Sequence, residues 1–272
     1  MQAWQALLFW PSRLVQHPQP QRQGLIGQPA NRILSDLAAT AYSRFMLIAF
    51  CNQKGGVSKS TLACHLAIWL FDQGLRVAFI DTDDQRTSAK WLGIAEPMLP
   101  VIVATEVDAI RNAKQQLTKE NDIVVADTPG SGGDASHCIA LLADVVVVPL
   151  QPSKPDLRAI KDSLKYVRLA QEMSGGKRPE VSLALTFTAI GDIQTRKLRT
   201  ELLAMGLPVA KSEIRRLNAF RDACDSSVTR QKSRDAKEAA KDVISLFAEI
   251  LDGRFDFGNE NYESAKRAAA NG

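Results

Sequence analysis

Phe45-Met46-Leu47-Ile48-Ala49-Phe50-Cys51-Asn52-Gln53-Lys54-Gly55-Gly56-Val57-Ser58-Lys59-Ser60-Thr61 is the stretch whose reading decides the fold. Its apolar start reads as a buried strand, and Leu62 to Phe71 continues as a helix pattern. Between them lie two glycines, a lysine and a hydroxyl. Strand, glycine loop, lysine, hydroxyl and helix in that order describe a phosphate cradle. Backbone N–H groups of such a loop face phosphate oxygens, and the positive end of the helix dipole adds to them. Lys59 is placed to meet the β- and γ-phosphates, and the Ser60 hydroxyl to hold Mg²⁺. The chain is thereby committed to a nucleotide. Gly55, Gly56, Val57, Ser58 and Thr61 complete the loop.

Three further apolar runs end in polar residues of matching use. Val77-Ala78-Phe79-Ile80 runs into Asp81-Thr82-Asp83-Asp84-Gln85, which puts acids at the carboxyl end of a buried parallel strand, where ligands of open α/β sheets bind. The same acids would also serve as helix N-caps. Ile123-Val124-Val125-Ala126 runs into Asp127-Thr128-Pro129-Gly130, about 70 residues after the phosphate loop. Asp127 suits a hard cation that keeps several waters. Gly130, Gly132 and Gly133 give a loop able to change shape with hydrolysis. Val145 to Val148 form a fourth strand, stopped by the prolines of Pro149-Leu150-Gln151-Pro152-Ser153-Lys154-Pro155.

The lysine pair Lys54/Lys59 resembles the deviant Walker A loop of the ParA/MinD family of ATPases, K-G-G-x-G-K-[ST]-T. Ser58 departs from it, standing where the family has glycine. Asp81 to Gln85 resembles the family's D-x-D-P-Q segment with Asp84 in place of proline, and Asp127 to Gly130 its Walker B strand and switch II. The resemblance covers residues 46 to 251 and is most specific in the first 110 of these. It implies ATP and Mg²⁺ as cofactors and a dimer formed with ATP. In that dimer Lys54 would reach the other subunit's nucleotide. Asp83 would position the attacking water and hold the metal with Ser60 and Asp127. Asp81 would brace the phosphate loop and the metal's water shell, the Gly130 amide would approach the γ-phosphate, and Pro152 would lie near the nucleotide.

Beyond the motifs, strands are expected near 46–51, 76–82, 99–104, 122–127, 144–149, 181–188 and 207–211. Helices are expected near 60–73, 86–93, 106–119, 134–142, 154–173, 194–205, 215–225 and 233–251. This alternation predicts an α/β fold, a P-loop NTPase with a mostly parallel twisted sheet and helices on both faces. Gly74, Gly93 and Gly206 fall where helix C-caps belong.

The chain has 272 residues, 45% of them hydrophobic, enough for one large core. No apolar run is long enough to span a membrane. The four cysteines, at 51, 64, 138 and 224, lack metal spacing, which fits a reducing, cytoplasmic compartment. Three parts are expected: residues 1–45 as a poorly ordered leader or a misplaced start with Met46 as the natural one, 46–252 as the ATPase domain, and 253–272 as a flexible tail. The leader begins without a basic segment or cleavage site of a signal peptide, and 17–30 is rich in Gln and Pro.

Charge is uneven. Residues 1–150 carry a net −1, residues 151–241 a net +8 and residues 242–272 a net −3. Arg196, Lys197, Arg199, Arg215, Arg216 and Arg221 lie in the basic part, and cations that neutralise phosphates give salt-sensitive, sequence-independent DNA binding. The resemblance implies the same for the ATP-bound dimer, with a nucleoid-associated location and a ParB-type or centromere-binding adaptor. The leading expectation is a slow, partner-stimulated ATPase switch for plasmid or chromosome partitioning. Alternatives are the same switch positioning conjugation, secretion or chemotaxis machinery, or a MinD-like membrane-cycling regulator. The last is disfavoured because Tyr262 to Ala270 is too alanine-rich to bury much area in a bilayer, so no membrane partner is expected. A metabolic enzyme on this fold would need a cysteine pair or a substrate motif that the sequence lacks.

Overall fold

A computed structural model describes residues 45–152, 156–176 and 178–252. The expectations for the leader, the tail and Ser153 to Pro155 lie outside these residues.

Seven strands form one sheet in the order β3-β2-β4-β1-β5-β6-β7, with all neighbours parallel. They are β1 Met46–Phe50, β2 Val77–Asp81, β3 Val101–Val103, β4 Ile123–Asp127, β5 Val145–Leu150, β6 Glu180–Thr188 and β7 Val209–Arg215. The helices are α1 Lys59–Asp72, α2 Thr87–Ala95, α3 Val107–Leu117, α4 Asp134–Leu142, α5 Asp156–Met173, α6 Ile193–Ala204, the short α7 Ala219–Asp222 and α8 Arg234–Leu251, with a 3₁₀ turn at Val228–Arg230. Parallel strands need crossover connections, so both sheet faces are covered and β1, β2, β4 and β5 are buried along their whole length.

Alternate strand residues point to opposite faces, and two cores result. Ile48, Phe50, Phe79 and Val125 pack with α1, α2, α7 and α8. Leu47, Ala49, Ile80 and Val124 pack with α3, α4, α5 and α6. Helix α1 is buried without interruption from Leu62 to Leu70, because it lies between the sheet and the outer helices.

Two expectations need correction. Gly93 lies inside α2 and caps nothing; Gly74 and Gly206 do follow helices, at φ 81° and 71°. The helix expected over 215–225 is a strand to Arg215 followed by only one turn, α7. The apolar alternation Ala210, Ile214 on one face carries β7 past the expected end at 211, with Leu185 to Thr188 of β6 as its partner.

Candidate functional site

The carboxyl ends of β1, β2 and β4 lie side by side. Asp81 is the register partner of Asp127, and Asp127 that of Phe50, so the acids of two motifs and the start of the loop meet by strand pairing alone. Lys59 begins α1 among them and is 6% exposed. Its Nζ donates to the Lys54 carbonyl at 3.3 Å. Burial lowers its pKa, and Asp127, Cys51 and Asp83 oppose that shift.

The loop is held from several sides. Asn52 Nδ2 donates to Pro149 O at 2.7 Å, and its Oδ1 accepts the Lys54 N–H at 2.8 Å. Gln151 Nε2 donates to Gly56 O at 2.6 Å, and Thr186 Oγ1 to Val57 O at 3.3 Å. Pro152 sits half-buried directly after Gln151. Ser58 adopts φ 73°, ψ 22°, the left-handed region that costs a residue with a Cβ about 1–2 kcal/mol. The glycine preference of this position is therefore a backbone preference, and serine occupies it under strain. Gly130 is demanded by contact instead. A Cβ there would lie 3.2 Å from Gly55 Cα and 3.5 Å from Lys59 Nζ, so the loop after β4 rests directly on the phosphate loop.

Asp127 is 1% exposed, and burial lifts its pKa to about 6 against hydrogen bonds from Ser60 and Ser88. Ser88 Oγ donates to Oδ2 at 2.7 Å, while Oδ1 is buried without a protein partner. An orphaned carboxylate oxygen next to the Ser60 hydroxyl is a hard-oxygen donor pair and fits Mg²⁺. The described residues hold no group of three or more His, Cys, Asp or Glu placed for a metal.

The acids after β2 divide their work. Both Asp81 oxygens are engaged, Oδ1 by Asp83 N–H at 3.0 Å and Oδ2 by Ala89 N–H at 2.8 Å. Asp81 thus braces the β2–α2 turn and the open first turn of α2, where no side chain at the N-cap does so. Asp83 is half-buried, accepts Gln85 N–H at 3.0 Å, and adds to the negative potential at Lys59.

A cavity of about 460 Å³ opens beside the loop, lined by Ser58, Thr61, Leu62, Phe187, Leu217 and Asn218. Its size suits the rest of a nucleotide. Phe187 is held at φ 55°, and the Arg216 guanidinium lies 5.4 Å from its ring centre.

That cavity, with the ion pairs around it, changes the reading of the basic residues. Arg215 pairs with Asp242 at 2.7 Å and Glu238 at 3.2 Å. Arg199 pairs with Glu213 at 2.7 Å and donates to Ala210 O at 2.6 Å. Arg216 and Arg221 line the cavity. Arg199 and Arg215, two of the six expected DNA contacts, are thus held by carboxylates of their own chain; Arg216 and Arg221 stay exposed while lining the cavity, and Arg196 and Lys197 stand exposed on α6. Pairing with neighbouring carboxylates, which a count of net charge does not show, is the reason for Arg199 and Arg215.

Sequence reading assigned no role to Asn52, Ser88, Gln151 or Thr186. Asn52 stood inside the motif and could have been found there. The other three reach the site only through tertiary contacts, 39 to 129 residues from their partners.

The CobQ/CobB/MinD/ParA nucleotide binding domain matches residues 48–229. The chain is 27% identical over 218 residues to "Maintenance of carboxysome distribution protein A" of Halothiobacillus neapolitanus, covering 78% of this chain and 99% of that protein. It is 25% identical over 181 residues to "Protein virC1" of Rhizobium radiobacter, 64% of this chain and 78% of that one. Among solved structures, the ATP complex of a Cyanothece McdA variant superposes with a TM-score of 0.60 at 15% identity, over 76% of this chain and 97% of that one.

Proposed function

This chain belongs to the CobQ/CobB/MinD/ParA nucleotide-binding family and is an ATP-dependent switch ATPase of the ParA/MinD type; from there we propose that it dimerises with ATP and positions a macromolecular cargo other than a replicon. The observation that supports this cargo reading is the carboxysome-distribution relative, matched over nearly its whole length. DNA partitioning is a weaker reading, because two of its six supporting cations, Arg199 and Arg215, are held in ion pairs within the chain.

In this reading the loop amides and Lys59 neutralise the β- and γ-phosphates. Ser60, Asp127 and Asp83 are the residues that would hold Mg²⁺, which supplies charge neutralisation at the phosphates when bound. Asp83 orients water, its carboxylate being more open than that of Asp81 or Asp127. Lys54 would act across the dimer, and Pro152 would pack near the nucleotide. Slow hydrolysis, stimulated by an adaptor protein of the cargo, then releases the dimer. DNA remains the proposed track, with Arg196 and Lys197 as its contacts.

The test is light scattering and DNA binding with no nucleotide, ADP and ATP–Mg²⁺, at two salt concentrations. A dimer and salt-sensitive DNA binding seen only with ATP support the switch. Arg196→Glu with Lys197→Glu should then weaken DNA binding at least tenfold and leave dimerisation intact. ATP-dependent dimers that ignore DNA would remove the track and leave the switch.

A further inference from the structure

The main chain of Asp127 is fixed from three directions. β4 pairs it with Phe50 of β1 and Asp81 of β2, and Thr82 donates both its N–H and its Oγ1 to the Asp127 carbonyl, at 3.1 and 2.8 Å. None of these contacts sets the rotation of the carboxylate. Two hydroxyls do. One is Ser60, which belongs to the donor set assigned to the cation. The other is Ser88, fully buried, whose Oγ lies 2.7 Å from Oδ2. A hydrogen bond to an ionised oxygen is about twice as strong as one between neutral groups. This one engages Oδ2, and Oδ1 is the oxygen without a partner among the described residues.

Ser88 is itself held in place. It follows Thr87, the first residue of α2, and its carbonyl faces Cys64 Sγ of α1 at 3.9 Å. The next residue, Ala89, donates its N–H to Asp81 Oδ2 at 2.8 Å, and the other oxygen of Asp81 accepts the Asp83 N–H at 3.0 Å. Ser88 and Asp83 thus flank one turn that Asp81 anchors. That turn reaches the metal-holding carboxylate at one end and carries the water-orienting one at the other. A serine at a helix start ordinarily bonds its own backbone. Ser88 instead gives its hydroxyl to an acid 39 residues away on another element.

Resting on the reading that Asp127 helps to hold Mg²⁺, we propose that Ser88 is a positioning residue for that cation, its hydroxyl fixing the Asp127 carboxylate so that Oδ1 stays available to the metal. Partners of this kind, one bond removed from the ion, typically account for about 10- to 100-fold in metal affinity. Ser88 acts through Asp127, so its loss falls on metal retention and spares the metal-free affinity for nucleotide.

Manganese takes the same hard-oxygen donors and reports its own binding by paramagnetic resonance. The full chain, loaded with a non-hydrolysable ATP analogue, is titrated with Mn²⁺. Ser88→Ala should weaken manganese retention about 10- to 100-fold, while calorimetry in chelator should give a metal-free nucleotide affinity within about twofold of native. Ser88→Thr keeps the hydroxyl and should restore retention. Where Ser88→Ala does not fold, Ser88→Cys keeps the volume with only a weak donor and should still lose manganese. An equal fall in metal-free nucleotide affinity would overturn the proposal, as would a threonine variant no better than alanine. Native protein that holds no manganese with the analogue would overturn the nucleotide–metal reading and this role with it. Native protein and the folded variant holding it alike would overturn the role of Ser88 alone.

Discussion

The carboxyl ends of β1, β2 and β4 and the carboxyl ends of β6 and β7 border the same phosphate loop, yet they treat charge in opposite ways. At the first, Lys59 and Asp127 are buried 6% and 1% exposed, and an oxygen of Asp127 is left without a protein partner. At the second, Arg199 and Arg215 are closed by carboxylates of their own chain. Burying an unsatisfied carboxylate oxygen is costly and persists where a ligand completes it. A guanidinium already held by two acids gains little from a phosphate. The lesson is that position and satisfaction of charge, more than its amount, separate a binding site from a structural clasp.

Lys59→Ala strikes the first region and has the largest expected effect. It removes the cation aimed at the β/γ-phosphates, and nucleotide affinity should fall at least about 100-fold, roughly 3 kcal/mol, by titration calorimetry. An affinity within a few fold of the native protein would break the contrast at its stronger end.

Arg215→Ala probes the second region. It strands Asp242 and Glu238, and urea unfolding should show a loss of about 2–3 kcal/mol. DNA affinity of the protein that remains folded should not change. A drop in DNA affinity with stability intact would return Arg215 to the DNA surface from which its ion pairs remove it.

The two regions differ equally in how much of them the sequence disclosed. The phosphate loop, Asp83, Asp127 and Gly130 were legible because each is fixed by a short motif at a strand end, and strand pairing then brings the ends together. Most element positions followed from periodicity for the same local reason. Asp81's engagement with Ala89, the reach of β7 to Arg215, and the pairing of Arg215 with Asp242 were not legible. Each depends on a partner 8 to 27 residues or more away, on an element whose orientation only packing decides.

His65 lies on the seam between the regions. It belongs to α1, its Nδ1 faces Ser227 Oγ at 3.2 Å, and its ring contacts Phe220. It is fully buried, and burial pushes its pKa down to about 3. The unfolded chain binds that proton near pH 6.5, so between these values the unfolded state holds more protons and stability falls as pH drops. The slope is about 1.4 kcal/mol per pH unit, or about 2 kcal/mol by pH 5. Asp127, raised to about 6, acts in the opposite sense below that pH, so the comparison must be with His65→Leu. Native protein and variant should diverge in denaturant midpoint as pH falls from 7 to 5. Parallel curves would mean that the seam opens to water and hydrates the histidine.

Ser58→Gly carries the smallest expected effect and makes the sharpest use of the contrast. The left-handed backbone at residue 58 costs serine about 1–2 kcal/mol, whereas glycine adopts it freely and loses more chain entropy on folding. The net gain in stability should be about 0.5–1 kcal/mol, read from the urea midpoint. Ser58 also lines the cavity where Phe187 sits at a positive φ, so two strained residues from the two regions face one space. If the strain serves nucleotide binding, Ser58→Gly will raise stability without raising affinity, because the loop already holds its binding shape. If the strain is only an accident of sequence, stability and affinity will rise together, and the first region will prove as open to relaxation as the second is closed.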